Sequence, residues 1–251
     1  MKKWIALCAA CFFSQPLWAA DVAAILQWSQ RVELSTPVSG VVQAVQAEAG
    51  EQVKKGQVLL TLDSTAYQAR IGESQAEITR LQAEAAEAKR DLERVQELHS
   101  RTVVSTTELD QARLRLVKNQ SLLAEARARL KQNQKALDDS SLRAPFDAVV
   151  ILRQVEPGQS VAAGLQPQTL LVLAKSGEMI ARMHLGSAQM DSLKTGQAVT
   201  VTSGDKSYSG KVKTLGLEPV RIKDESAYPV DVIFSVNGQL RAGAAAVVKL
   251  P

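Results

Sequence analysis

Catalysis or metal binding needs nucleophiles, bases or ligands grouped at workable spacing, and this chain offers few. His99 and His184 are its only histidines. Neither has a second His, a Cys or a carboxylate at ligand spacing, so neither builds a metal or acid–base site. Asp138-Asp139 closes a long helical stretch and reads as solvation of its exit rather than as a carboxylate pair. Both cysteines, Cys8 and Cys11, fall among the first twenty residues. No nucleophile elbow, P-loop or dinucleotide fingerprint occurs. The chain is expected to be a non-enzyme without metal or cofactor. Arg94, Leu98 and Ser105 remain, at spacings of four and seven. Their chemistry is recognition: a guanidinium grips carbonyls or carboxylates through several hydrogen bonds, a leucine fills a gap, and a hydroxyl bonds backbone. Plainer readings stand beside this one. Arg94 can pair with Asp91 or Glu97 on a solvated helix face, Leu98 can seal a hairpin end, and Ser105 can be a helix N-cap.

These three residues sit inside a long helical tract. Residues 65–140 hold no proline and one glycine, Gly72, and are rich in Ala, Leu, Glu, Gln, Arg and Lys, all strong helix formers. From Tyr67 through Ile71, Ser74, Ile78 and Leu81 to Val95, apolar and small residues step by four and three. From Leu109 through Ala112, Leu116 and Asn119 to Leu137 they step by three and four. Each half thus carries a narrow heptad seam that fits one partner helix. Asn119 and Asn133 fall on the seam as register-fixing polar residues. Between the halves, Thr102-Val103-Val104 favours an extended turn, and Ser105 with Glu108 three residues on fits a capping box. Two helices joined so tightly run antiparallel. At 1.5 Å per residue the hairpin is about 50 Å long.

The tract interrupts a repeat. "TPVSGVVQAVQAEAGEQVKKG" (36–56) returns as "APFDAVVILRQVEPGQSVAAG" (144–164). Pro37 maps to Pro145, Val41-Val42 to Val149-Val150, Gly50 to Gly158, Val53 to Val161 and Gly56 to Gly164, always 108 residues apart. Each copy reads as short strands with turn glycines, Gly50 and Gly56 or Gly158 and Gly164, around a valine. A second apolar strand follows each, 58–63 and 169–174, with Leu165-Gln166-Pro167 as three extra residues in the second copy. Neither half is large enough to bury a core alone, whereas two facing halves can. From residue 176 onward, alternating strands are punctuated by Gly196, Gly210 and Gly243, with a short helical piece around 187–193.

The N-terminus has a basic pair, Lys2-Lys3, an apolar run from Trp4 to Phe13, a break at Ser14-Gln15-Pro16 and small residues at Ala19-Ala20. This is the pattern of a secretory signal peptide. A lipid anchor on Cys11 is the alternative, weakened by the short apolar run before it. Cleavage would remove both cysteines and leave 28 basic against 26 acidic residues, a balance that gives no argument for nucleic acid.

The two G-x-x-V-x-x-G phrases and their following strands resemble a biotinyl/lipoyl domain, a flattened β-sandwich of two similar halves. Carrier members hold a modified lysine at the turn between halves. Here that turn reads "LDSTAYQ" and has none, which argues against a carrier. A lipoyl-like domain split by a helical hairpin, behind a signal peptide, resembles the periplasmic adaptor or membrane fusion protein family (HlyD-like, with the RND-type efflux adaptors). "LKTGQAVTV" and "LRAGAAAVVKL" are similar to phrases of that family's β-barrel domain.

The resemblance implies an elongated, multidomain, mixed α and β fold. Residues 1–20 are the signal peptide, 35–64 and 141–175 the split sandwich, 65–140 the hairpin, and 21–34 with 176–251 the barrel. No clear membrane-proximal domain is expected after the barrel. The resemblance also implies an adaptor in the periplasm, associated with the inner membrane. Its partners are an inner-membrane transporter of RND or ABC type, a TolC-type outer-membrane channel, and further copies of itself in a ring, a trimer or hexamer. Arg94, Leu98 and Ser105 match the R-x-x-x-L-x-x-x-x-x-x-S phrase with which such hairpin tips dock on the channel. A coiled-coil scaffold without a channel is the alternative from a different class.

Overall fold

The computed structural model describes residues 21–164, 167–222, 225–238 and 240–250. The expected leader, with Cys8 and Cys11, and the pair Leu165-Gln166 lie outside them. The chain divides into two compact units. One is Val32–Ala174; the other combines the residues up to Arg31 with those from Lys175 onward.

The repeat explains the first unit. Its first half supplies strands Gly40–Val45, Gln52–Val53 and Val58–Leu62, and its second half Ala148–Arg153, Ser160–Val161 and Leu171–Lys175. The halves exchange strands. Gly40 and Val41 pair with Val161 and Ser160, and Ala148 and Val149 pair with Val53 and Gln52. The turns cross in the same way. The Gly50 N–H donates to the Val150 carbonyl and the Gly158 N–H to the Val42 carbonyl, both at 2.8 Å. The Val42 N–H donates to Gln159 at 2.8 Å and the Val150 N–H to Glu51 at 2.9 Å. Each of these contacts thus has a mirror 108 residues away. Gly50 and Gly158 lie at φ +91° and +86°, a left-handed backbone that costs glycine nothing and aims each N–H across at the other half.

Gly164 departs from the repeat. Gly56 has φ +82°, but Gly164 lies in a bend outside the left-handed region. The second copy is three residues longer at this point, and the positive φ of Gly56 has no counterpart at Gly164.

One core belongs to both halves. Val42, Val53, Leu60 and Leu62 are buried with Val150, Val161, Leu171 and Leu173 in a single cluster. Each half also has an entry strand: Ser141–Arg143 pairs with Val58–Leu62, and Arg31–Leu34 pairs with Leu171–Lys175. The sequence reading groups Arg31–Leu34 with the barrel. In the structure this strand pairs in the sandwich sheet and its residues from Val32 on belong to that unit, because the Leu170 N–H needs the Leu34 carbonyl, 2.8 Å away, and a buried edge left unpaired is costly.

The second unit is a closed barrel. Glu178–Leu185, Asp21–Trp28, Ala245–Lys249, Ala198–Ser203, Lys206–Leu215 and Glu225–Ser235 are neighbours in that order, and the last pairs back onto the first. Closure leaves these six strands without a free edge. Val220–Ile222 adds a short strand to Glu225–Ser235, and Ser187–Met190 forms one helical turn. Alternation places Met179, Ala181, Met183 and Leu185 inside, against Val230, Val232 and Phe234. Gly210 is a packing residue: a Cβ there would stand 2.8 Å from Val232 Cγ1 and 3.2 Å from Val201 Cγ2.

Candidate functional site

At the turn between the sandwich halves, where a carrier lysine would stand, the chain enters two long helices: α1 (Thr65–Ser100) and α2 (Thr106–Asp139). Asp63 starts α1. Its Oδ1 accepts the Thr65 hydroxyl at 2.7 Å and the Thr65 N–H at 2.9 Å, and these bonds, the hydroxyl first, hold its carboxyl below the ordinary value. The Tyr67 hydroxyl donates to the Ser39 carbonyl and ties the first turn to the sandwich. Burial then follows the heptads. Ser74, Leu81, Ala85, Ala88 and Val95 of α1 are buried, as are Leu109, Ala112 and Ala126 of α2. Asn133 pins the register: its Nδ2 donates to the buried Ser74 Oγ at 2.8 Å and to the Arg70 carbonyl at 3.3 Å.

The far end carries the candidate site. Val95, Leu109 and Ala112, backed by Leu92 and Val104, close the hairpin. Leu98 stays outside that cluster and half-buried, while its carbonyl accepts N–H groups from Arg101 at 3.2 Å and Val103 at 3.0 Å. Arg94 is exposed and bonds Asp91 one turn earlier. Ser105 has an extended backbone and its Oγ accepts the Glu108 N–H at 3.3 Å. The fold therefore brings Arg94 and Leu98 to one turn of α1 and Ser105 to the start of α2. The plainer readings of Arg94 and Ser105, ion pair and N-cap, are both realised. Leu98 is not the seal.

Ser105→Ala is expected to lower hairpin stability by about 1 kcal/mol through loss of the cap, read as a shift in the thermal midpoint of the helix signal. Restoration by Ser105→Asp, another N-cap residue, would attribute the loss to capping.

Three features escape a reading of spacing alone. Asp91, with a side chain only 17 % exposed, also accepts Arg115 of α2 at 2.6 Å, so it anchors Arg94 and ties the two helices together. Thr102 adopts φ +61°, unfavourable for a β-branched residue. That turn leaves Val103 66 % exposed. The β-branched run at 102–104 hinted at the turn, but which valine faces out depends on the one left-handed residue before it. Among the described residues no group of three His, Cys, Asp or Glu is placed to hold a metal ion. Nor is any helix among them long and apolar enough to cross a membrane.

A sandwich of two exchanged halves, opened by a helical hairpin and accompanied by a β-barrel, defines a class of fold. Residues 30–174 match the family described as CzcB-like, barrel-sandwich hybrid domain. The match covers more than half of the chain, and the chain belongs to this family. No curated protein matches it.

Solved structures share the fold. A MacA–MexA chimeric protein containing the Pseudomonas aeruginosa MexA α-hairpin domain is 22 % identical with a TM-score of 0.66, over 92 % of this chain and 77 % of that one. The membrane fusion protein Spr0693 from Streptococcus pneumoniae R6 is 16 % identical with a TM-score of 0.70, over 92 % and 97 %. MacA from Actinobacillus actinomycetemcomitans is 22 % identical with a TM-score of 0.63, over 92 % and 78 %. The fold is that of membrane fusion proteins.

Proposed function

We propose that the chain is the periplasmic adaptor of a tripartite efflux or secretion system. It bridges an inner-membrane transporter of RND or ABC type to a TolC-type outer-membrane channel. The observation that carries this reading is the hairpin tip. A two-helix arm ends with Arg94 and Leu98 on one turn of α1 and Ser105 at the start of α2, the guanidinium anchored yet exposed, and Val103 of the turn between the helices is exposed as well. Such a tip offers a fork of donors, an apolar contact and a hydroxyl, which suits loops of another protein and no bond-making chemistry. The N-terminal leader exports the chain, the barrel unit meets the transporter, and several copies form a ring, trimeric or hexameric, around the path of the cargo. Contact area and geometry are the mechanism: the adaptor holds two membrane components in line.

The test is a photo-cross-linking residue in place of Leu98, in cells that make a TolC-type channel. A covalent adduct with the channel is expected from position 98 and none from position 76, more than twenty residues down the same helix. No adduct at position 98 would sink the channel assignment.

A further inference from the structure

We propose that Asn237 is a self-modifying residue of the barrel unit. Its side-chain amide is lost spontaneously, with water as the only co-reactant, and the turn after Glu225–Ser235 gains a carboxylate.

The chain has three asparagines, Asn119, Asn133 and Asn237, and only the last precedes a glycine. The pairing matters chemically. The backbone nitrogen that follows an asparagine is the nucleophile able to close a succinimide ring on its Cγ. A glycine nitrogen makes that approach without a Cβ in the way. Asn119 and Asn133 precede Gln120 and Gln134 inside α2. There the following N–H is committed to the helix ladder, and the Asn133 amide is also held by Ser74 and the Arg70 carbonyl.

Asn237 has none of these restraints. Asn237 and Gly238 are both exposed. Neither the Asn237 amide nor the Gly238 N–H makes a hydrogen bond among the described residues, so nucleophile and leaving group are both untied. Gly238 lies at φ +121°, and a Cβ added there would meet nothing within 4 Å. The chain is pinned on either side instead. The buried Val236 donates its N–H to the Gly177 carbonyl at 2.9 Å, and Gly243 donates to the Leu26 carbonyl at 2.8 Å. The reactive pair thus occupies an open arc between two fixed points of the barrel unit.

The Gly238 nitrogen gives up its proton and attacks Asn237 Cγ. An N–Cγ bond forms and the Cγ–Nδ2 bond breaks. Nδ2 takes up one proton and leaves as ammonia. Water then opens the ring. Attack at Cγ yields aspartate. Attack at the main-chain carbonyl carbon of residue 237 yields isoaspartate, whose main chain runs through Cβ and Cγ. Nothing is oxidised or reduced. Either product adds a negative charge at neutral pH, and isoaspartate also lengthens the arc between the two pins.

The test ages the purified, folded chain at mildly alkaline pH. Peptide masses follow the amide-to-acid change at each asparagine, and enzymatic methyl transfer counts isoaspartate. Conversion at position 237 is expected to be at least about tenfold faster than at Asn119 or Asn133, where reaction waits for local opening of α2. It should quicken roughly tenfold per pH unit, since the deprotonated amide is the nucleophile. Gly238→Ala should slow it about tenfold or more through the added Cβ. Alanine is strained at this φ, so Asn237→Gln serves as the second variant: its longer side chain should abolish the isoaspartate signal while the fold stays intact. Conversion at 237 no faster than at the helical asparagines, or indifferent to pH, would overturn the proposal. So would aspartate without isoaspartate, because direct hydrolysis of the side-chain amide never breaks the main chain.

Discussion

Leu60→Ala is expected to destabilise the sandwich by about 2–5 kcal/mol, the range for removing a buried leucine side chain. Leu60 is fully buried, sits opposite both Val45 and Leu142 in the sheet, and shares its cluster with Val150 and Leu173 of the other half. The cavity would open in a core that both halves line, so neither half can close over it independently. Domains of this size are typically stable by about 5–15 kcal/mol, so the loss is a large share of the whole. Leu152→Ala, on the same sandwich but 45 % exposed, should cost roughly 0.5 kcal/mol or less. Urea melts followed by the far-ultraviolet helix signal would measure both, with the slope unchanged if the unfolded states match. A loss at Leu60 no larger than that at Leu152 would mean that the halves do not depend on a common core.

Arg94→Asp is expected to reduce channel-dependent export by about tenfold or more while the protein level stays at wild type. Hydrogen bonds to charged groups contribute about 1.5–3 kcal/mol each, and 1.4 kcal/mol is tenfold in affinity. The substitution removes the guanidinium and also sets a carboxylate three residues from Asp91, its former partner. Arg94→Lys should retain part of the activity, because an ammonium keeps the charge but not the fork. Asp91→Asn separates anchoring from contact: Arg94 keeps its charge but loses its hold, as does Arg115 across the hairpin. Export by Arg94→Asp at the wild-type level would remove Arg94 from the site.

The hairpin was legible because its signals are local and periodic. Steps of three and four from Tyr67 to Val95 and from Leu109 to Leu137 name the buried face directly, and Ser105 with Glu108 marks where the second helix starts. The tip was legible only in part. Spacing finds Arg94 and Leu98 on one turn, but the role of Asp91 depends on Arg115 arriving from the other helix. The exposure of Val103 depends on a backbone angle at Thr102 that propensity disfavours.

The constant offset of 108 residues determined that the chain holds two related halves, and the lack of lysine in 62–68 argued against a carrier site at the turn between them. Only the tertiary structure decided that each half completes the sheets of the other, that Arg31–Leu34 belongs to the sandwich, and that Gly164 does not repeat the turn at Gly56. The physical reason is range. Periodicity and turn chemistry act over a few residues and are written in order along the chain. Strand pairing joins residues more than a hundred positions apart, and a free N–H takes whichever carbonyl the fold brings to it.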